Sequence, residues 1–328
     1  MVFQQRENLS TGVDSTEHVI TIENLRHTYD GKTFALNDLS LSIRKGEVFG
    51  LLGKNGAGKT TLIKVLTTLI RPTSGKLGIL GMDPAHEGKE IRGRIGVVQQ
   101  GESFDFTTVE GNFDIYGVLW SVLRKVRLQR REELIKLFGL QEVRKQRSFD
   151  LSGGQKRRVQ VAREMIHDMD ILFLDEPTTG LDVFMRRELL DSIKRQVRHG
   201  LTVVFTTHNL EEADYFCDRI AVIDQGKILA MDTVENLKRL YRGKKTIEVA
   251  ISGGDAVEFF ARLEDEFRDK EIKVEGSSAI ILAEEPKEVL QRIVELSQST
   301  GVQVEWLNIR KNTLEDVFID SVSRNRGE

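Results

Sequence analysis

The sequence predicts an α/β protein: a larger part with a parallel sheet flanked by helices, and a smaller α+β unit behind it. Three observations carry this. First, Gly53-Lys54-Asn55-Gly56-Ala57-Gly58-Lys59-Thr60 follows the apolar run Val48 to Leu52 and precedes a helical pattern from Thr61 to Leu66. A glycine-rich turn between a strand and a helix has a mechanical reason to exist, because its backbone N–H groups can approach an anion. Second, Ile171-Leu172-Phe173-Leu174 and Leu201 to Thr206 are continuous apolar or β-branched runs, the pattern of strands buried on both faces. Third, the C-terminal stretch reads strand 246–251, helix 254–267, strand 271–275, strand 278–283, helix 286–299 and strand 302–309. That order is βαββαβ.

Taken along the chain, residues 1–18 read as a leader. Val19 to Leu25 and Leu39 to Ile43 carry the spacing of strands. Residues 90–165 read as mostly helical, with a helical subdomain expected over about 100–165. Within it, the basic cluster Arg124 to Arg131 reads first as a solvated helix face and second as a partner contact. Ala213 to Ile220 has amphipathic helical spacing and holds the single cysteine, Cys217, expected to be a buried, inert thiol. The larger domain is expected over 19–240 and an accessory or regulatory unit over 241–328, closed by a helix near 312–323.

Composition excludes several classes. The 328 residues carry 48 Lys+Arg against 51 Asp+Glu, a net charge of −3, so gripping nucleic acid is not the expected task. One cysteine permits no intrachain disulfide, as suits a reducing compartment. No apolar run reaches the roughly 18–20 residues of a membrane span, and the first 20 residues lack a signal-peptide core. A cytoplasmic protein is expected, and any membrane crossing belongs to another subunit.

The octapeptide matches G-x-x-x-x-G-K-[ST] without a gap, and it is not the dinucleotide pattern G-x-G-x-x-G. In this pattern Gly53, Lys54, Asn55, Gly56, Ala57 and Gly58 cradle nucleotide phosphates, with Thr61 alongside. Lys59 reaches the β- and γ-phosphates, and Thr60 ligates Mg²⁺. Leu151-Ser152-Gly153-Gly154-Gln155 precedes a second helical run and so presents another anion-friendly N-terminus. Asp175-Glu176 follows the buried run 171–174. At the end of a strand in a phosphate-loop protein, Asp175 can reach Mg²⁺ and Glu176 can polarise an attacking water.

With these motifs in this order, residues of about 19–240 resemble the ATPase subunit of ABC transporters. The resemblance implies that Leu151 to Gln155 form a signature motif that acts in trans, on ATP held by a second protomer. It implies catalytic roles for Glu176 and His208, the latter in Thr206-Thr207-His208-Asn209. Mg²⁺ is expected on Thr60, Gln100 and Asp175. Of the adjacent pair Gln99 and Gln100, alignment on Ile95-Gly96 favours Gln100. Tyr29 matches the aromatic residue that stacks on adenine, and Asp182 in Gly180-Leu181-Asp182 matches the dimer-contact loop. Thr313 to Phe318 is similar to a C-terminal motif of antibiotic-export ATPases of the daunorubicin-resistance type, and the βαββαβ unit resembles the ferredoxin-like arrangement.

The expected function is therefore ATP hydrolysis, with ATP and Mg²⁺ bound, powering export through an integral membrane transporter subunit. A second ATPase protomer completes the sites, a homodimer being expected, and the chain lies peripherally on the inner face of the cell membrane. The alternative is a soluble ABC ATPase acting on a non-transport macromolecular partner. One cassette per chain and the absence of sustained heptads weigh against it, and the intact acid pair weighs against a non-catalytic sensor.

Overall fold

The structure, a computed structural model, describes residues 17–101, 107–240, 245–267, 270–310 and 313–326. The expected leader falls almost wholly outside them, as do residues 241–244. The described residues form two compact units that part between Val234 and Glu235.

In the first unit the chain runs β1 (His18–Thr28), β2 (Phe34–Arg44), β3 (Val48–Leu52), α1 (Lys59–Leu66), β4 (Ser74–Ile79), α2 (Pro84–Gly93) and β5 (Ile95–Val98). It continues with α3 (Val109–Leu119), α4 (Arg124–Leu137), α5 (Gly153–Glu164), β6 (Ile171–Asp175), α6 (Val183–Val197), β7 (Thr202–Thr207), α7 (Leu210–Phe216), β8 (Arg219–Asp224) and β9 (Lys227–Thr233). A final helix, α8 (Val234–Leu240), spans the boundary. Strands β2-β1-β4 form an antiparallel sheet, and β5-β6-β7-β3-β8-β9 form the second sheet. The second sheet is parallel except for β9 against β8. Every residue of β3, β6, β7 and β8 is buried, which explains why their sequences lack alternation. Leu62, Ile63, Val65 and Leu66 of α1 share one core with Ile20, Ile22 and Leu41 of the first sheet and Phe49, Phe173 and Val204 of the second.

Two expectations are corrected here. The stretch 213–220 is not one helix. α7 stops at Phe216 and β8 starts at Arg219, with Cys217 between them, buried, its thiol pushed up by desolvation. Beside α3, α4 and α5, the region 90–165 also holds β5, a strand of the main sheet. The basic cluster of α4 is no solvated face either. Arg131 and Arg127 pair with Asp114 at 2.8 and 3.4 Å. Arg130 is buried, donating to Asp168 at 2.6 Å and to the Ile166 carbonyl at 3.2 Å. Arg124 and Lys125 stay exposed. These cations fasten α4 to its neighbours, and sequence spacing could not show that because their acidic partners lie on other elements.

Near the end of α5, burial pushes the Glu164 carboxyl up to about 7, against the opposing pull of the Arg163 charge and a hydrogen bond from the Val97 backbone. A carboxyl raised in the folded state costs stability as pH rises from its ordinary value of 4.5 through about 7, and costs nothing well below 4.5. Glu164 is partly open to solvent, which reduces the effect. Glu164→Gln is therefore expected to stabilise by on the order of 1–2 kcal/mol near pH 8, and by much less near pH 5. Thermal melts of both proteins at the two pH values check this; an equal or reversed difference counts against it.

The second unit contains β10 (Lys245–Ser252), α9 (Ala256–Glu266), β11 (Glu271–Glu275), β12 (Ser278–Ala283), α10 (Pro286–Thr300), β13 (Gln303–Arg310) and α11 (Leu314–Arg326). Its sheet is fully antiparallel in the order β11-β12-β10-β13. Ile247, Val249 and Ile281 bury against Phe259, Leu263, Val289 and Ile293 of the two long helices. At the start of α11, Thr313 Oγ1 accepts from the Asp316 backbone N–H at 3.3 Å. The Asp316 carboxylate accepts from the Thr313 N–H at 2.7 Å and from Arg310 at 3.1 Å. The Thr313 to Phe318 motif thus does the local work of a reciprocal helix cap.

Candidate active site

Four neighbouring strands bring the site together. In the order β5-β6-β7-β3, parallel register sets Leu52 opposite Thr207 and Asp175 opposite Thr206. The turn after β3, the acid pair ending β6, His208 after β7 and Gln100 after β5 therefore share one sheet edge. That carboxyl edge is where open α/β sheets bind ligands.

The turn 53–58 needs glycine for definite reasons. Gly58 caps α1 at φ 110, in the left-handed region that disfavours a side chain. A Cβ on Gly53 would collide with the Ile223 carbonyl. Lys59 is 4 % exposed. Its Nζ donates to the carbonyls of Gly53 at 2.7 Å and Lys54 at 3.2 Å, and lies 3.5 Å from Glu176 Oε1. Ala35, Asn55, Gly56, Gly58, Lys59, Thr60, Thr61, Gln100 and Glu176 line a cavity of about 280 Å³. Tyr29, 62 % exposed, places its hydroxyl 3.4 Å from Thr61 Oγ1 and its ring edge-on to His27.

Both oxygens of Asp175 accept hydroxyls, from Thr60 at 3.0 Å and from Thr206 at 2.6 Å. Glu176 is buried, yet its φ is 46°. Left-handed backbone at a non-glycine residue costs roughly 1–3 kcal/mol and concentrates at functional sites. Its Oε2 meets His208 Nδ1 at 3.2 Å, Gln100 Nε2 at 3.3 Å and Thr179 Oγ1 at 3.4 Å. A carboxylate held by a lysine, an amide and an imidazole beside a glycine-rich anion cradle can order and polarise a water against a phosphate.

Comparison with known proteins decides the family. A family model described as ABC transporter matches residues 36–179. The chain is 37 % identical over 293 residues to the daunorubicin resistance ATP-binding protein DrrA2 of Streptomyces coeruleorubidus, covering 88 % of this chain and 90 % of that protein. The chain belongs to the ABC transporter ATP-binding proteins. This ATPase subunit is also 34 % identical to the Nod factor export ATP-binding protein I of Rhizobium johnstonii, with 93 % and 95 % covered. Among solved structures it resembles the dimeric, post-hydrolysis ATP-binding cassette MJ0796 bound to ADP and Pi. The TM-score is 0.59 at 27 % identity, over 65 % of this chain and 98 % of that one. It is a transporter ATPase that binds and hydrolyses ATP; the non-transport alternative finds no support among these relatives.

Leu151 to Gln155 are not among the residues that line the cavity. Ser152 caps α5 in a capping box: its Oγ accepts from the Gln155 N–H at 3.3 Å, and Gln155 Oε1 accepts from the Ser152 N–H at 3.0 Å. Leu151 is buried, and Gly154 lies against the flexible Met185 side chain, which a Cβ there would displace. Asp182 caps α6, accepting from the Met185 N–H at 2.8 Å.

Three residues of the ATPase escaped sequence reading. Thr206 donates to Asp175 and accepts the Glu176 N–H at 3.0 Å. Glu212, buried, accepts the hydroxyls of Thr178 and Thr207 at 2.8 Å each and pairs with Arg186 at 3.0 Å, so it fixes the turns after both Glu176 and β7. Arg157 donates to four backbone carbonyls around the acid pair. No pattern marks any of the three; their partners lie on elements distant in sequence.

Proposed function

We propose that this subunit powers export through a separate integral membrane subunit, working as a head-to-tail pair of ATPase protomers. The observation that carries the chemistry is the convergence of Lys59, Thr60, Gln100, Asp175, Glu176 and His208 on one sheet edge. Gly53 to Gly58 and Thr61 hold the phosphates by backbone N–H groups and the α1 N-terminus, Lys59 neutralises the β- and γ-phosphates, and Tyr29 stacks on adenine. Glu176 takes the proton of the attacking water, and His208 stabilises the γ-phosphate.

The donor set fits Mg²⁺: the Asp175 carboxylate with two hydroxyls on it, and the Gln100 amide on the adjacent Glu176. Thr60, Gln100 and Asp175 would hold the ion, which supplies positive charge to the phosphate oxygens. Leu151 to Gln155 complete the site in trans, and Asp182 lies at the contact between protomers. None of them lines the cavity of their own chain, and that, with the dimeric relative, supports the reading.

Export rests on the relatives, one named for daunorubicin resistance and one for Nod factor export. Among the described residues no helix is long and apolar enough to cross a membrane. The membrane subunit thus supplies the crossing, with this chain peripheral on the cytoplasmic face. Exposed Ile115, Val118, Leu119 and Leu123 on and after α3 give it an apolar surface to meet. The C-terminal unit is a ferredoxin-like accessory module, supported by its βαββαβ order and its strand order.

The test is affinity purification of tagged Glu176→Gln from solubilised native membranes with Mg-ATP. A multispanning membrane protein in comparable amount is expected. Recovery of ribosomal, DNA-bound or purely soluble partners instead would refute the transport assignment.

A further inference from the structure

We propose that Arg157 is a positioning residue for hydrolysis: from α5 it clamps the backbone of Glu176 and of the segment that carries Gln100. The proposal rests on the reading of Glu176 as the base. Arg157 is 7 % exposed, in the second turn of α5. Its Nε donates to the Pro177 carbonyl at 2.6 Å. One terminal nitrogen donates to the Gln99 carbonyl at 2.9 Å and to Gln160 Oε1 at 3.0 Å. The other donates to the carbonyls of Glu176 at 3.1 Å and Asp175 at 3.4 Å.

All of these acceptors are neutral amide oxygens, spread around the planar fork. A guanidinium can serve them together; a lysine ammonium, a compact point charge, cannot. By donating to carbonyls on both segments at once, the guanidinium fixes their relative geometry. Glu176 has the disfavoured φ of 46°, and it is gripped on both sides, its N–H by Thr206 and its carbonyl by Arg157. Such a conformation persists only where its surroundings over-determine it. The same helix holds the Gln100 segment twice: Arg157 takes the Gln99 carbonyl, and Gln160 donates to the Gly101 carbonyl at 3.3 Å. Gln100 in turn reaches Glu176 Oε2. The helix capped by Ser152 thus carries the clamp on the base of its own chain, so movement of α5 moves Glu176.

The experiment compares wild type with Arg157→Lys, Gln160→Met, Glu176→Gln and the Arg157→Lys/Glu176→Gln double variant. It measures kcat and KM for ATP, affinity for a fluorescent ATP analogue, and Tm. Arg157→Lys is expected to lower kcat by about 10- to 100-fold, because a base displaced by about an ångström loses that much, with analogue affinity within about twofold. In the Glu176→Gln background it should lower the residual turnover no further, since the clamp acts through that carboxylate. Gln160→Met, which removes one acceptor without burying an unpaired charge, should show the same split at smaller size.

Wild-type kcat in Arg157→Lys overturns the proposal. So does a fall of kcat and affinity together, or an undiminished effect in the Glu176→Gln background. If Arg157→Lys does not fold, wild-type kcat in Gln160→Met overturns it instead. Full turnover by Glu176→Gln would sink the reading of the base, a result distinct from failure of the clamp.

Discussion

Glu176→Gln is expected to reduce ATP turnover by about 10²–10⁴-fold, the usual worth of a positioned general base, while ATP still binds. The amide keeps the size of the carboxylate and an oxygen able to accept from Gln100 and His208, so the cavity keeps its shape. What it loses is basicity. The Lys59 contact at 3.5 Å also loses its charge partner, which leaves the ammonium more positive toward phosphate and favours binding. With hydrolysis blocked, bound ATP persists, and the proposed pair should accumulate as an ATP-stabilised dimer, because a ligand that bridges two protomers stabilises their closed state by mass action. Light scattering with saturating Mg-ATP reads this directly. A variant that stays monomeric would sink the paired arrangement, and one that turns over at the wild-type rate would sink the role of Glu176.

The parts of this molecule legible in its sequence are those fixed by local physics. A glycine-rich turn can be read because Gly58 must sit at φ 110 and Gly53 must pass a carbonyl closely. The run 171–174 can be read because a strand buried on both faces needs continuous apolar residues. In the second unit the strands expected over 271–275 and 278–283 match β11 and β12 residue for residue, since alternation and flanking turns specify both.

Other features escaped. β4, β5, β8 and β9 give no strand reading in the sequence: β4 holds two glycines, and β8 follows α7 so closely that the two merge into one apparent helix. Arg130 and Arg157 look like members of solvated basic runs, yet both are buried, because their acceptors are carbonyls and a carboxylate far along the chain. Thr206 is one of five β-branched residues in β7, and only register with β6 sets it opposite Asp175. Side chains that organise a site from behind leave no spacing signal, whereas the loops they support do.

Lys59→Ala should produce the second large effect, a loss of nucleotide affinity of about 10²–10³-fold. Charge-assisted hydrogen bonds to an ionised group contribute roughly 1.5–3 kcal/mol each, and the ammonium is expected to meet two phosphates. Stability moves as well, because Lys59 and Glu176 are both buried and 3.5 Å apart. Removing the ammonium leaves a buried carboxylate without its cation, a change that commonly costs a few kcal/mol. The two effects separate by measurement. Titration with a fluorescent ATP analogue reports binding, and a melt without nucleotide reports the charge pair. Lys59→Ala/Glu176→Gln should recover much of the lost stability, having no buried charge left unpaired, but none of the lost affinity. If the double variant regained nucleotide binding too, Lys59 would be acting through Glu176 rather than on phosphate. If Lys59→Ala alone bound the analogue as wild type does, the glycine-rich turn would not be a nucleotide site.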